Sequence, residues 1–148
     1  MSEYLRFARL AILLLILFLI GRLVVGATGV PYERGTGVFS LVTLSWILSF
    51  VFAAFSRPLR GYGWKKAVML GATIVISAQL IIFAATVVSY LVGAETYFNH
   101  PAALNVPEPV GLVQALPIRL VGLIVNTIVG SIWASLGWWG GKLLPKTA

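Results

Sequence analysis

Residues 67–92 read AVMLGATIVISAQLIIFAATVVSYLV, a stretch without a single charged side chain. A transmembrane helix needs about 20 mostly apolar residues to cross roughly 30 Å of hydrocarbon, and this stretch is long enough to do so. It shows no strand-like alternation of apolar and polar residues over its length. Because a bilayer admits only helices and closed barrels as spanning structures, the stretch predicts a transmembrane helix.

Three further segments have the same apolar character, so the chain is predicted to contain four transmembrane helices, at about residues 10–30, 37–55, 67–92 and 120–139. The composition agrees, since 59% of the residues are hydrophobic and 10% are charged, whereas soluble domains are about 25% charged. We therefore expect an all-α fold, a polytopic membrane protein built as one four-helix bundle over residues 1–148. The segment at about 93–119 is expected to be an outer loop.

The distribution of basic residues predicts the orientation of this bundle. Eight of the eleven fall in the N-terminus, the second loop and the C-terminus: Arg6, Arg9, Arg57, Arg60, Lys65, Lys66, Lys142 and Lys146. Because short cytoplasmic loops are enriched in Lys and Arg, both termini are expected in the cytoplasm. The predicted location is an integral membrane protein, in the plasma (inner) membrane if the source is bacterial.

The first segment has a second interpretation, a secretory signal peptide. Arg6 and Arg9 would form its charged region, residues 10–21 its apolar core and residues 25–27 a small-residue cleavage site. Arg22, which stands between core and site, argues against it. Cleavage would leave three helices.

The outer loop carries four of the seven prolines and the single histidine. His100 and Pro101 predict a short helix through Leu104, because proline suits a first helical turn. An alternative start for the last long helix lies near Pro109, with a kink at Pro117.

Small residues recur at helical spacing in two segments and predict packing faces, because helices associate in lipid through close backbone contact. The residues concerned are Ser45, Ser49, Gly122, Gly130 and Ala134, with Asn126 in the same stripe. We expect these faces to pack inside one bundle. The alternative is an interface between copies in a homo-oligomer or a larger membrane complex.

Arg22, Gln79 and Asn126 are polar residues inside predicted membrane segments and form the candidate intramembrane site. Arg22 either snorkels to the headgroups or faces the bundle and pairs with Glu33 or Glu95. A hydrogen bond between Gln79 and Asn126 would satisfy both amides, and such bonds contribute about 0.6 kcal/mol in measured membrane proteins.

The second loop combines basic and aromatic residues, which favours binding to anionic lipid headgroups. Its basic members are Arg57, Arg60, Lys65 and Lys66, and each such residue near an anionic surface contributes about 1 kcal/mol. Because these charges flank apolar segments, the net charge of +7 indicates topology and lipid contact, and no nucleic-acid partner is expected.

Catalytic chemistry has few candidate residues here. The chain has no Cys, one His and four acidic residues, all Glu, so no metal, cofactor or enzymatic activity is predicted. The leading hypothesis is a small non-enzymatic membrane protein, a structural or accessory component of a membrane assembly. The alternative is a small oligomeric channel or transporter with a polar pathway near Arg22, Gln79 and Asn126.

The topology can be tested with reporters. A reporter fused after Ala148 and a tag inserted beside Tyr62 should both read as cytoplasmic, and a tag near Asn105 should read as external, because the basic residues concentrate on the first side. Accessibility labelling in intact cells and in inverted vesicles provides the measurement. An external C-terminus would contradict the orientation.

Overall fold

The computed structural model describes residues 3–32 and 37–144, and within these ranges the chain is helical without any β-strand. The helices are α1 (Glu3–Phe7), α2 (Arg9–Ala27), α3 (Leu41–Arg60), α4 (Trp64–Leu91), α5 (Pro101–Leu104) and α6 (Leu112–Gly140), with 3₁₀ turns at Tyr97–Asn99 and Gly141–Leu143. The all-α prediction is confirmed. So is the short helix expected after His100.

Four of these helices are long and apolar enough to cross a membrane, as predicted: α2, α3, α4 and α6, the last together with the turn that follows it. They differ in length. Helices α2 and α3 have 19 and 20 residues, whereas α4 and α6 have 28 and 29. At 1.5 Å per residue, α4 and α6 are each over 40 Å long, about 12 Å longer than α2 and α3.

Helix α3 is shifted along the chain relative to its prediction, beginning at Leu41 rather than Gly37 and ending at Arg60 rather than Phe55. Ser40 caps its start by accepting a hydrogen bond from the Thr43 N–H at 3.3 Å. Pro58 lies inside its last turn, and Gly61 caps the helix end with a φ of 62°, a left-handed conformation that favours glycine. The predicted loop therefore shortens to residues 61–63.

Helix α6 begins at Leu112, well before the predicted Leu120, and contains Pro117. The Gln114 side chain stabilises this start by accepting a hydrogen bond from the Gly111 N–H at 3.1 Å. Pro117 cannot donate to the carbonyl of Val113 four residues earlier. Because Val113 is exposed, that carbonyl can find another partner, and the proline is tolerated. The alternative of an early start with an internal Pro117 was closer to the structure.

The bundle is packed most closely where α3, α4 and α6 meet. Ser49, fully buried on α3, donates a hydrogen bond to the Ser45 carbonyl at 2.8 Å and lies 3.2 Å from the Gly71 carbonyl oxygen of α4. A side chain added at Gly71 would overlap Ala134 of α6, and one added at Gly130 would overlap Val75 of α4. Small residues thus bring the three helices together, including four of those selected as packing residues.

Two glycines near the end of α6 touch the backbone of α3. A Cβ at Gly137 would overlap the Phe50 carbonyl, and one at Gly141 would overlap the Ala54 carbonyl. The Ala54 carbonyl is also the one that Pro58 cannot bond. Backbone therefore packs directly against backbone at this end of the bundle.

Helix α2 packs on α3 and α4 and leaves its opposite face exposed. Ala8, Ala11 and Leu15 are buried in a cluster with Tyr62 of the 61–63 loop. The Tyr62 hydroxyl donates to Glu3 Oε1 at 2.5 Å. Burial and this hydrogen bond raise the pKa of Tyr62 to about 12, and the same bond lowers the pKa of the Glu3 carboxyl. We call this end of the bundle, which carries Arg57, Arg60, Lys65 and Lys66, the basic end.

At the opposite end, residues 97–104 form a short helical segment, here called the cap, over α4 and α6. Phe98 and Leu104 are its buried apolar residues. The Thr96 side chain accepts from the Phe98 N–H, and His100 Nδ1 accepts from the Ala102 N–H at 3.2 Å. These side chains start the 3₁₀ turn and α5.

Two glycine substitutions in one helix test the backbone contact. Gly137→Ala should lower the free energy of unfolding, because its methyl group would overlap the Phe50 carbonyl. Gly140→Ala should be neutral or stabilising, since the nearest Phe50 atom lies 3.8 Å from the new Cβ and alanine is favoured over glycine in helices by about 1 kcal/mol.

The measurement is the melting temperature of both variants in the same detergent. Equal melting temperatures would show that α6 does not approach α3 as closely as described.

Candidate functional site: two arginines beneath the cap

Arg119 of α6 connects three elements with one guanidinium group. Its Nε donates to Thr86 Oγ1 of α4 at 2.9 Å. Its Nη2 donates to the Phe98 carbonyl at 2.6 Å and its Nη1 to the Ala103 carbonyl at 3.2 Å. A planar fork with donors in fixed directions suits such a set of separate acceptors. Arg119 therefore holds the cap to both long helices.

Thr86 completes this network from α4. Fully buried, it donates to the Ile82 carbonyl at 2.8 Å, and its oxygen lies 3.2 Å from the Phe98 carbonyl oxygen. The hydroxyl thus bonds its own helix while it accepts from Arg119. Hydrogen bonds to a charged group contribute about 1.5–3 kcal/mol, more than neutral ones.

Arg22 lies on α2 at the same end, with 2% of its surface exposed. Its Nη1 donates to the Val38 carbonyl at 2.8 Å, and its Cζ lies 3.4 Å from the centre of the Tyr97 ring. The Phe39 ring, beside Val38, packs on Gly21 of α2. Arg22 therefore faces into the protein, joining α2 to the cap and to the segment that leads into α3.

The acidic partners expected for Arg22 have different positions. Glu33 lies outside the described residues. Glu95 is exposed and lines a cavity of about 160 Å³ together with Arg22, Tyr32 and Tyr97. The described contacts of Arg22 are a carbonyl and an aromatic ring, and pairing with either glutamate stays a prediction.

Gln79 and Asn126 are brought together, but without the predicted hydrogen bond. Gln79 Oε1 and Asn126 Nδ2 each lie 3.8 Å from the position of a Cβ at Gly122. Gln79 is 4% exposed, and its Nε2 has no hydrogen-bond partner in the described ranges. The missing side chain at Gly122 leaves room between the two amides, and neither lines the cavity beside Arg22.

The four basic residues selected for lipid contact lie at the basic end with different surroundings. Arg60 lies 5.5 Å from the Phe7 ring centre, Lys66 5.4 Å from that of Tyr62 and Arg57 5.3 Å from that of Trp138. Lys65 is exposed. Only Arg57 and Lys66 thus approach aromatic rings of the loop or of α6.

Sequence reasoning missed Arg119 as a site residue and assigned it to the outer loop. A usable signal was present, because Arg119 precedes Gly122 by three positions and so shares the helix face of the small-residue stripe. Tyr97, which lies under Arg22, had no such signal because it comes from a separate loop. The two arginines therefore contact the cap from helices that are distant in sequence.

The chemistry of this site is that of hydrogen-bond donors held against carbonyl oxygens. Over residues 3–32 and 37–144 no three His, Cys, Asp or Glu side chains are grouped to hold a metal ion. The cation of Arg119 is matched by neutral acceptors rather than by a carboxylate, which fits a structural connection.

Comparison of this chain with protein-family models, curated proteins and solved structures finds no match.

The role of Arg119 can be tested by substitution. Arg119→Lys should detach the cap, because one ammonium group cannot reach the three acceptors that the fork reaches. We expect a loss of about 3 kcal/mol, corresponding to one or two charged hydrogen bonds. Hydrogen exchange of the residue 97–104 amides, together with a melting curve, provides the measurement.

Arg60→Lys is the matched control, since Arg60 is exposed and its described contact is a distant ring. Cap amides that exchange equally slowly in Arg119→Lys and Arg60→Lys would remove Arg119 from this role.

Proposed function

We propose that this chain is a small integral membrane protein that serves as a structural or accessory component of a membrane assembly and carries no catalytic activity. The proposal is supported first by four helices of spanning length and apolarity. The proposal includes the predicted orientation, with the basic end in the cytoplasm and the cap outside, because the basic 61–63 loop, α1 and the turn after α6 lie at that end.

The observation that carries the proposal is how the buried polar groups are used. Arg119 donates to three acceptors of its own chain, and Arg22 donates to a carbonyl and stacks on a ring. A conduction pathway would leave such groups lining a continuous hydrated face. Here the hydrogen bonds of both arginines, and the ring contact of Arg22, instead connect elements of one fold.

The exposed faces support contact with lipid or other proteins. On α2 and α6 the exposed side chains are almost all apolar, among them Leu13, Leu17, Ile20, Val121, Val125, Ile128 and Ile132. Soluble proteins rarely expose contiguous apolar patches larger than a few hundred Å². Such faces suit lipid, and they also suit helices of a partner protein in the same membrane.

The second candidate function is the small oligomeric channel or transporter, and one observation favours it. Gln79 Nε2 is buried without a partner, and Asn126 lies beside it. An unsatisfied amide in hydrocarbon is costly, so contact with a second copy or with a hydrated solute would be favourable there. The two functions differ in whether this pair meets water.

Photo-crosslinking in native membranes separates the two functions. A photoreactive residue at Val125 of α6 or Leu17 of α2 should give a discrete adduct with a different protein from one of these faces, and the same residue at Glu108 is the matched exposed control. Adducts with only a second copy, combined with ion or solute flux in proteoliposomes that Gln79→Leu abolishes, would contradict the accessory role and support the channel.

A further inference from the structure

A cavity of about 520 Å³ opens at the basic end, between the 61–63 loop and the end of α6. Its lining includes Arg57, Tyr62, Gly63, Trp138 and Lys142. We call it the basic cavity. Its volume falls within the range of about 300–1,000 Å³ that is usual for ligand pockets.

Two cations approach one indole ring in this cavity. Arg57 Cζ lies 5.3 Å and Lys142 Nζ 5.1 Å from the centre of the Trp138 ring. The ring is held in place because its Nε1 donates to the Tyr62 carbonyl at 2.9 Å. Lys142 Nζ lies closer still to the centre of the Trp139 ring, at 3.4 Å. Both cations line the cavity, so an anion bound in it would be attracted by both.

Arg57 differs from the arginines beneath the cap in making no hydrogen bond with any residue of the described ranges, and its Nη1 is enclosed without an acceptor. Arg119, in contrast, uses three nitrogens on three acceptors. A guanidinium group left without acceptors in a partly enclosed position is favourable only if a ligand or water supplies them.

No carboxylate of the described residues neutralises this pair. Glu3 is the acidic residue at this end, and it accepts from Tyr62 while the charges acting on it are those of Lys66, Arg6 and Arg60. Glu95 and Glu108 lie near the cap, at the other end of the bundle. Among the described residues, no carboxylate therefore compensates the positive charge of the basic cavity.

Gly63 also lines the cavity and precedes the first turn of α4, where no side chain caps the helix start. The N-terminus of a 28-residue helix carries a partial positive charge, which favours phosphate nearby. Arg57, Lys142 and the residue before this helix start thus line one space.

We propose that the basic cavity binds a phosphate group, specifically the headgroup phosphate of an anionic phospholipid in the adjacent leaflet. Guanidinium, ammonium and helix N–H groups are the donors that phosphate prefers. Trp138 and Trp139 belong to the residue type that sits at headgroup level, and the exposed Leu143 beside them suits an acyl chain. The lipid source rests on the proposed membrane location, whereas the phosphate site does not.

Native mass spectrometry on the full-length protein, delipidated in an uncharged detergent, tests the site. Phosphatidylglycerol, phosphatidylcholine of equal chain length and inorganic phosphate are titrated separately. We expect one phosphatidylglycerol to be retained in preference to phosphatidylcholine, and Arg57→Gln combined with Lys142→Gln to weaken its binding about tenfold or more.

Two double variants make this result specific. Arg60→Gln with Lys65→Gln removes the same charge outside the lining of the cavity and should weaken binding less than about threefold. Arg57→Lys with Lys142→Arg keeps both charges and should retain binding, with melting curves showing that all variants fold. Equal losses in the two glutamine variants would overturn the site and leave a non-specific basic surface.

The same titrations separate the two sources of phosphate. Binding of inorganic phosphate that depends on Arg57 and Lys142, without retention of phosphatidylglycerol, would overturn the lipid source and keep the phosphate site. Absence of both would overturn the proposal, whatever the outcome of crosslinking in membranes.

Discussion

The fold depends on the contact between the backbones of α3 and α6 at Gly137 and Gly141, where a Cβ would overlap the carbonyls of Phe50 and Ala54. This contact sets the height of α6 in the bundle, because a helix is rigid and rises 1.5 Å per residue. About one and two turns towards the N-terminus of α6, Ala134 and Gly130 meet Gly71 and Val75 of α4 in the same register. Arg119 then lies about 27 Å from Gly137, level with Thr86 of α4. Small residues at one end of the bundle thus position the polar network at the other.

Helices α4 and α6 are about 12 Å longer than α2 and α3. The cap packs over these two longer helices, and Arg119 holds it there. A helix of four residues such as α5 leaves most of its carbonyl oxygens without an intrahelical donor. The Ala103 carbonyl and the Phe98 carbonyl of the preceding turn both receive donors from Arg119. The arginine, for its part, is partly buried among neutral acceptors that compensate for lost solvation. The cap carbonyls therefore gain a donor and the guanidinium gains acceptors. These shared hydrogen bonds hold the short helical turns of the cap on the two long helices.

Hydrophobic runs were sufficient to predict four long helices, and the His100-Pro101 pair to predict the short α5, because both signals act locally along the chain. They were insufficient at the helix ends. Helix α3 continues past Pro58 to Arg60, and the Ala54 carbonyl that Pro58 cannot bond packs against Gly141, a residue far away in sequence. Arg22 was selected from the sequence as a candidate site residue, but its contacts with Val38 and Tyr97 depend on where two loops fold. The hydrogen bond expected between Gln79 and Asn126 does not form, because opposite positions on two helices fix the level of the side chains but not the gap between them.

The cations at the two ends of the bundle differ in their hydrogen-bond acceptors, and this difference has a physical cause. Beneath the cap the loop is long enough to bring carbonyl oxygens to Arg119, so the chain itself solvates the charge. At the basic end the connection between α3 and α4 contains only residues 61–63, and its Tyr62 carbonyl accepts from Trp138. Arg57 Nη1 has no acceptor among the described residues. The phosphate site that we propose would supply such an acceptor, and headgroup phosphates are the acceptors that a membrane surface supplies.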